Sequence, residues 1–296
     1  MSGTAVRLAD GRLRLQEGPI DLIIGADGPP DAVRDAEAAA IRAFDGLLAG
    51  LVTELPALRR PVGGPPGPFR GPVARRMAAA VRPYRGVFVT PMAAVAGAVA
   101  DHILAAMATA VPELAKVWVN NGGDVAFHLA PGMEFALGLV PNLAAPALAG
   151  VATIRFGDPV RGAATSGRGG RSLSLGIADA VTVLAASAAA ADAAATLVAN
   201  AVDLPGHMAV RRGAASAEDP DSDLGDRLVV LDVGPLVEAE VAAALAAGAA
   251  EAERMRARGL LHAAALGLRG AWRLVGRTSL EISAPEPRSG AWRPPS

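Results

Sequence analysis

The chain contains no cysteine. That absence excludes structural disulfides, thiolate metal sites and a cysteine nucleophile together, and it suits a cytoplasmic setting. Lysine is nearly as scarce: Lys116 is the only one, and the other basic residues are arginine. Schiff-base chemistry would have to rest on that single side chain, which argues against it. Aromatic residues are few, so Tyr84, Trp118 and Phe127 read as core residues before they read as a stacking platform for a heterocycle. Neither sign of charge prevails. The formal net charge of -1 gives no basis for bulk attraction to nucleic acid or to an anionic membrane. Each apolar run is interrupted by Asp, Asn, Ser, Pro or Gly before it reaches membrane-spanning length, so no membrane span is expected. The start, M-S-G-T-A-V-R-L-A-D-G-R, has no apolar signal core, and without cysteine no lipoprotein anchor is expected.

What is abundant is alanine, which supplies most of the hydropathy and lends little functional weight to alanine runs as such. A single carboxylate therefore stands out. Asp192 sits in an otherwise uncharged stretch over residues 180–202. A partly buried carboxylate is costly unless something pairs with it, and the stretch holds no Lys, Arg or His. The partner must be a residue from elsewhere, backbone N–H groups, a metal ion or water. With Ser187 as N-cap, a helix to about Val202 places Asp192 and Thr196 at i and i+4 on one face. A carboxylate beside a hydroxyl offers two hard oxygen ligands suited to Mg²⁺. The plainer reading, a hydrogen bond from Asp192 to a neighbouring loop with Thr196 merely packing, is the stronger one on local sequence alone.

Periodicity and turn chemistry predict mixed strands and helices without regular β-α alternation, hence an α+β fold of mixed α/β layers. Strands are expected over 6–15, 20–24, 86–90, 116–119, 125–129, 134–140, 151–156, 180–184 and 228–232. The strands over 125–129 and 134–140 read as a pair around Pro131-Gly132. Asp31 is placed as the cap of a helix running to about Leu51, and further helices are expected over 73–81, 93–111 and 236–266, the last broken near Gly248 or Gly259. Loops are expected over 61–72, 163–174 and 214–226, the last of them mobile. With no internal repeat and no linker, residues 1–284 are expected to form a single domain, followed by a disordered tail over 285–296.

Two further segments offer ligand contacts. Asn120, Asn121, Gly122, Gly123 and Asp124 follow a predicted strand; paired glycines let a backbone approach a ligand, and the polar side chains add contacts to a phosphate or sugar edge. A β-hairpin turn is the favoured alternative. Thr165, Ser166 and Gly167 open a Gly/Ser/Arg run to Ser172 that is either an anion cradle or a surface loop. Arg70, Arg75, Arg76, Arg82 and Arg85 are better read as a solvated helix face than as a phosphate site. His102, His128, His207 and His262 show no metal-ligand spacing.

Taken in order, the segments resemble the UPF0280 family, a branch of the ApbE-like superfamily. The resemblance is carried by G-P-I-D-L-I-I-G-A-D-G from Gly18, G-P-V-A-R-R-M from Gly71, F-V-T-P-M-A-A-V-A-G-A-V-A-D from Phe88, V-N-N-G-G-D from Val119, A-T-S-G from Ala164 and A-D-A-V-T-V-L-A from Ala178. It implies an ApbE-like fold. ApbE proteins are Mg²⁺-dependent FAD:protein FMN transferases, and their V-N-x-G-G-D and S-A-x-x-A-D-A-x-x-T segments are similar to Val119 to Asp124 and Ser187 to Thr196. By resemblance, then, Asp192 and Thr196 are the Mg²⁺ ligands, while Asn120 to Asp124, with Thr165, Ser166 and Gly167, line a site for FAD, FMN or a related small cofactor. Two departures stand against ApbE-type FMN transfer: the H-I-I-D-P-x-T-G segment has no counterpart, and the lysine of G-G-I-A-K-G is replaced by Ala96. The resemblance implies a Mg²⁺-dependent enzyme on a phosphate-bearing heterocyclic cofactor, or a protein that binds one without transforming it. A homo-oligomer stays open.

Overall fold

In the computed structural model, residues 3–64, 67, 69–139, 150–170, 173–276 and 279–282 are described. Alternating burial organises the first strands. β2 (Leu13–Glu17) and β3 (Ile20–Asp27) turn Leu13, Leu15, Ile20, Leu22 and Ile24 inward, as a sheet with one face on a core requires. β1 (Thr4–Arg7) pairs antiparallel to β2 as an exposed edge. A turn at Leu8–Arg12 thus divides the strand expected over 6–15 into two.

The chain then forms α1 (Pro30–Phe44) and α2 (Leu47–Leu58). The single helix expected from Asp31 is two, because Gly46 takes a left-handed conformation between them with φ 71°. α3 (Pro72–Val81) follows, entered through a proline that fits a first helical turn. Residues 86–90 are not a strand; they lead into a short 3-10 turn (Pro91–Ala94) and α4 (Val95–Ala110). The combined run Pro91–Ala110 is long and apolar enough to cross a membrane by length and composition, contrary to the sequence expectation. Here it packs against α1, α5, β4 and β5.

β4 (Lys116–Asn121) and β5 (Asp124–Leu129) form a hairpin. β6 (Glu134–Leu139) does not pair with β5 as expected; it pairs with β7 (Gly150–Arg155), which in turn pairs with β14 (Ser279–Ile282). The segment after 162 opens as β8 (Gly162–Ser166), not as a loop, followed by β9 (Ala180–Ala185) and α5 (Ala188–Ala201). β10 (Val210–Ala214), a short α6 (Ala215–Glu218) and β11 (Leu228–Val233) build a separate hairpin, so part of the loop expected over 214–226 is helical. α7 (Glu238–Ala257) passes through Gly248 unbroken and ends before Gly259 at φ 71°. The rest of the expected helix is β12 (Ala263–Leu268), followed by β13 (Ala271–Val275). The tail expected to be disordered lies outside the described residues.

Among the described residues the main sheet has nine antiparallel strands in the order β1-β2-β3-β4-β5-β8-β9-β12-β13. One face packs on α1, α4, α5 and α7 in the principal core. On the other, Val125, Phe127, Leu129, Ala163, Leu184 and Ala263 meet Ala152, Ile154 and half-buried Phe135 and Leu137 of the small sheet. β9 and β12 are buried along their whole length because both faces are covered. The α+β architecture anticipated from sequence is the one observed.

Helix α5 lies close on β8: a Cβ at Gly162 would overlap the Ser187–Ala188 backbone. Gly162→Ala should therefore lower unfolding stability by about 1–3 kcal/mol through overpacking. Gly50→Ala, in an exposed position of α2 with nothing within 4 Å of an added Cβ, should raise it by about 0.5–1 kcal/mol. Urea unfolding of both variants checks the pair.

Candidate metal and ligand site

Helices α4 and α5 touch at their first turns. Gly97 permits the approach, since a Cβ there would overlap the Ala188 carbonyl. Each helix carries one carboxylate four residues further on, Asp101 and Asp192. Asp101 is buried; its Oδ1 accepts from Ala188 N at 3.0 Å and its Oδ2 from Ala189 N at 2.9 Å. The Ser187 side chain caps the same turn beside it, its Oγ accepting from Ala190 N at 3.2 Å. The first amides of α5, which have no partner inside the helix, are satisfied in this way. Asp192 returns the arrangement: its Oδ2 accepts from Gly97 N at 3.0 Å, with the Ala96 amide close by.

The β4–β5 hairpin brings the remaining polar groups. Gly122 and Gly123 form its two-residue turn with φ 65° and 114°, a geometry that glycine pairs adopt without strain. Asn120 serves the turn itself, its Oδ1 accepting from Gly123 N at 2.8 Å. Asn121 is buried and donates from Nδ2 to Ala96 O at 3.1 Å. Buried Asp124 accepts from Thr165 N at 3.3 Å through Oδ1 and shares a side-chain hydrogen bond with Asp192. Thr165 in turn bonds through Oγ1 to Thr182 Oγ1 at 2.8 Å. The turn is thus the hairpin that the local sequence favoured, and it delivers Asn121 and Asp124 to the helix pair.

Of the residues singled out from sequence, Asn121, Asp124, Thr165 and Asp192 belong to one hydrogen-bonded group. Thr196 follows one turn later on α5, half-buried. Ser166 ends β8, and Gly167 takes φ 133° against the Asp179 carbonyl. Arg171 and Ser172 lie outside the described residues. Arg75, Arg76, Arg82 and Arg85 are exposed on and after α3, as a solvated face. His207 pairs with Glu240 at 2.9 Å, and Tyr84 and Phe127 are core. Sequence reasoning missed Gly97 and Asp101. The signal for Asp101 was the same as for Asp192, an acidic residue inside an apolar alanine-rich helix.

The electrostatics follow from this packing. Burial of the carboxyl of Asp192, a residue half-buried as a whole, pushes it up to about 7, partly offset by the Gly97 amide, Asp124 and the Ala96 amide, with Asp101 raising it further. Burial also raises Asp101, against the pull of the Ala189 and Ala188 amides. Asp192 and Asp124, which share a hydrogen bond, cannot both stay ionised cheaply; a proton or a cation between them relieves the repulsion.

Similarity to known proteins covers most of the chain. A family model described as AbpE bacteria matches residues 5–274. A UPF0280 protein of Methanopyrus kandleri is 40% identical over 165 residues, covering 54% of this chain and 61% of that protein. For a UPF0280 protein of Archaeoglobus fulgidus the figures are 39% over 114 residues, 38% and 45%; for one of Methanosphaerula palustris, 41% over 138 residues, 46% and 55%. The chain thus spans about half the length of the curated relatives it matches. Among solved structures, the ApbE protein of Thermotoga maritima is 12% identical, with 95% of this chain and 97% of that chain covered at a TM-score of 0.37. The apo flavinyl transferase ApbE of Pseudomonas stutzeri is 13% identical, with 93% of each chain covered at a TM-score of 0.44.

The raised Asp192 carboxyl has a signed consequence for the metal-free protein. Between pH 4 and 7 the folded chain keeps a proton that the unfolded chain has released, so stability should fall as pH rises through that window, by at most ~1.4 kcal/mol per pH unit from this group. Asp192→Asn, which mimics the protonated form, should flatten that slope in denaturant titrations at successive pH values. An unchanged slope would remove Asp192 as its source.

Proposed function

The chain belongs to the family described as AbpE bacteria, whose model spans residues 5–274, and on that premise we propose that it is a Mg²⁺-dependent enzyme acting on a flavin or a related phosphate-bearing heterocyclic cofactor. The observation that carries this reading is the Asp124–Asp192 carboxyl contact beside the glycine turn. The donor set fits Mg²⁺: the carboxylates of Asp192 and Asp124 and the Thr196 hydroxyl are hard oxygens. Among the described residues no three His, Cys, Asp or Glu side chains gather as a metal cluster. Mg²⁺ held here would draw its remaining ligands from water or from a phosphate group, its usual habit. When bound, it supplies positive charge to a phosphate-bearing ligand.

The chain's own residues account for the rest. Asn121, tied to the Ala96 carbonyl, fixes the hairpin against α4. Gly122 and Gly123 present backbone without side chains, so a planar ligand can approach closely. Ser166 and Gly167, at the end of the strand that Thr165 ties to Asp124, supply a hydroxyl and a backbone amide for orientation. Ala96 uses only its backbone toward Asn121 and Asp192; no side-chain charge stands where the related motif carries lysine. Among the described residues Asp192 is bonded to the Gly97 amide and to Asp124, neither of them a His or Lys that could move a proton near neutral pH. That favours a second reading, a protein that binds such a cofactor without turning it over.

A thermal-shift titration of the full chain with FAD, FMN, nucleotides and pterins, with and without Mg²⁺, tests both. The proposal expects a Mg²⁺-dependent rise in Tm with a flavin or nucleotide, lost in Asp192→Ala. Mg²⁺-dependent release of AMP or FMN from FAD selects the enzyme over the carrier. A Mg²⁺ response that Asp192→Ala leaves intact sinks the metal assignment.

A further inference from the structure

Asp101 was not among the residues that the sequence marked for the site, yet it holds the element that carries Asp192. The two helices are related by a repeated arrangement. Gly97 meets Ala188 at the crossing; four residues beyond each, a carboxylate reaches back to the first amides of the other helix. Asp101 is the more committed of the two, with both oxygens engaged, by Ala188 N and Ala189 N. Asp192 spends one oxygen on Gly97 N and meets Asp124 as well.

We propose that Asp101 is a positioning residue for the candidate site: by fixing the first turn of α5 it sets Asp192 against Gly97 and Asp124, without touching the ligand itself. The argument is geometric. Residues 188, 189 and 192 lie within about one turn of a single helix, so a change in how Ala188 and Ala189 are held is transmitted to Asp192 as a rotation or shift of that turn. Gly97 allows no side chain to cushion such a shift. An ordinary N-cap would need no second helix, and Ser187 already provides one; the added carboxylate from α4 ties the cap to the helix whose amide Asp192 uses. This extends the proposed Mg²⁺ site and rests on it for the metal readout only.

The test uses the full chain with Asp101→Ala and Asp101→Asn, read in two ways. Amide hydrogen exchange at Gly97 in metal-free protein reports the Asp192 bond whether or not Mg²⁺ binds. Calorimetry gives Mg²⁺ affinity. Asp101→Ala should speed exchange at Gly97 as well as at Ala188 and Ala189 by about tenfold, relative to amides in β9, and weaken Mg²⁺ binding to a similar degree. Asp101→Asn, which keeps one acceptor oxygen, should recover part of both, and it serves alone if the alanine variant does not fold. Faster exchange confined to Ala188 and Ala189, with Gly97 at its wild-type rate, overturns the positioning role and leaves Asp101 a local cap. If the wild-type chain binds no Mg²⁺, the proposed function fails, while exchange at Gly97 still decides the role of Asp101.

Discussion

Two carboxylates inside apolar helices have to be paid for, and the fold does so by letting each helix satisfy the other. Asp101 of α4 takes the free amides at the start of α5, and Asp192 of α5 takes one at the start of α4. Free amides at a helix start and a carboxylate in a dry setting are each unfavourable alone. Placed against one another they become charge-assisted hydrogen bonds at the positive end of a helix dipole. The bonds require the helices to meet at Gly97 and Ala188, and that crossing constrains much of what surrounds it.

The layers follow from that contact. α5 lies against β8 with Gly162 under its first turn, and α4 lies against β4 and β5. Both faces of β9 and β12 are covered, one by helices and one by the small sheet. The hairpin between β4 and β5 then ends beside the paired helix starts, where Asn121 grips Ala96 and Asp124 meets Asp192. One oxygen of Asp192 is used for structure, and the carboxyl still carries an environment that holds a proton up to about 7. A carboxylate that is both a strut and a poised ligand accounts for its presence in so plain a stretch of alanine and valine.

Much of this was legible in the sequence where local chemistry decides. The Ser187 cap and the α5 helix, the strand into Asn120 and the glycine turn follow from rules acting over a few residues. Errors fell where tertiary context wins. Residues 163–166 read as loop because small polar residues dominate, yet they fill a strand between β5 and β9. Residues 263–268 continue a helical alanine pattern but join the sheet after Gly259 turns the chain. The β5–β6 pairing failed because β5 is already hydrogen-bonded on both sides, to β4 and β8. For the site, Asp192 was visible as an oddly placed acid and Asp124 as part of the glycine turn; Asp101 was as odd as Asp192, but its partner amides lie some ninety residues away in sequence.

The most direct test of the account is where a divalent cation binds. Mn²⁺ shares the oxygen preference of Mg²⁺ and scatters anomalously, so crystals of the full chain grown with Mn²⁺ would place it. The account predicts a peak in contact with the Asp192 carboxylate, on the side of α5 that carries Thr196. A peak elsewhere, with the Asp192 carboxyl keeping its bonds to Gly97 N and Asp124 and no cation beside it, would contradict it.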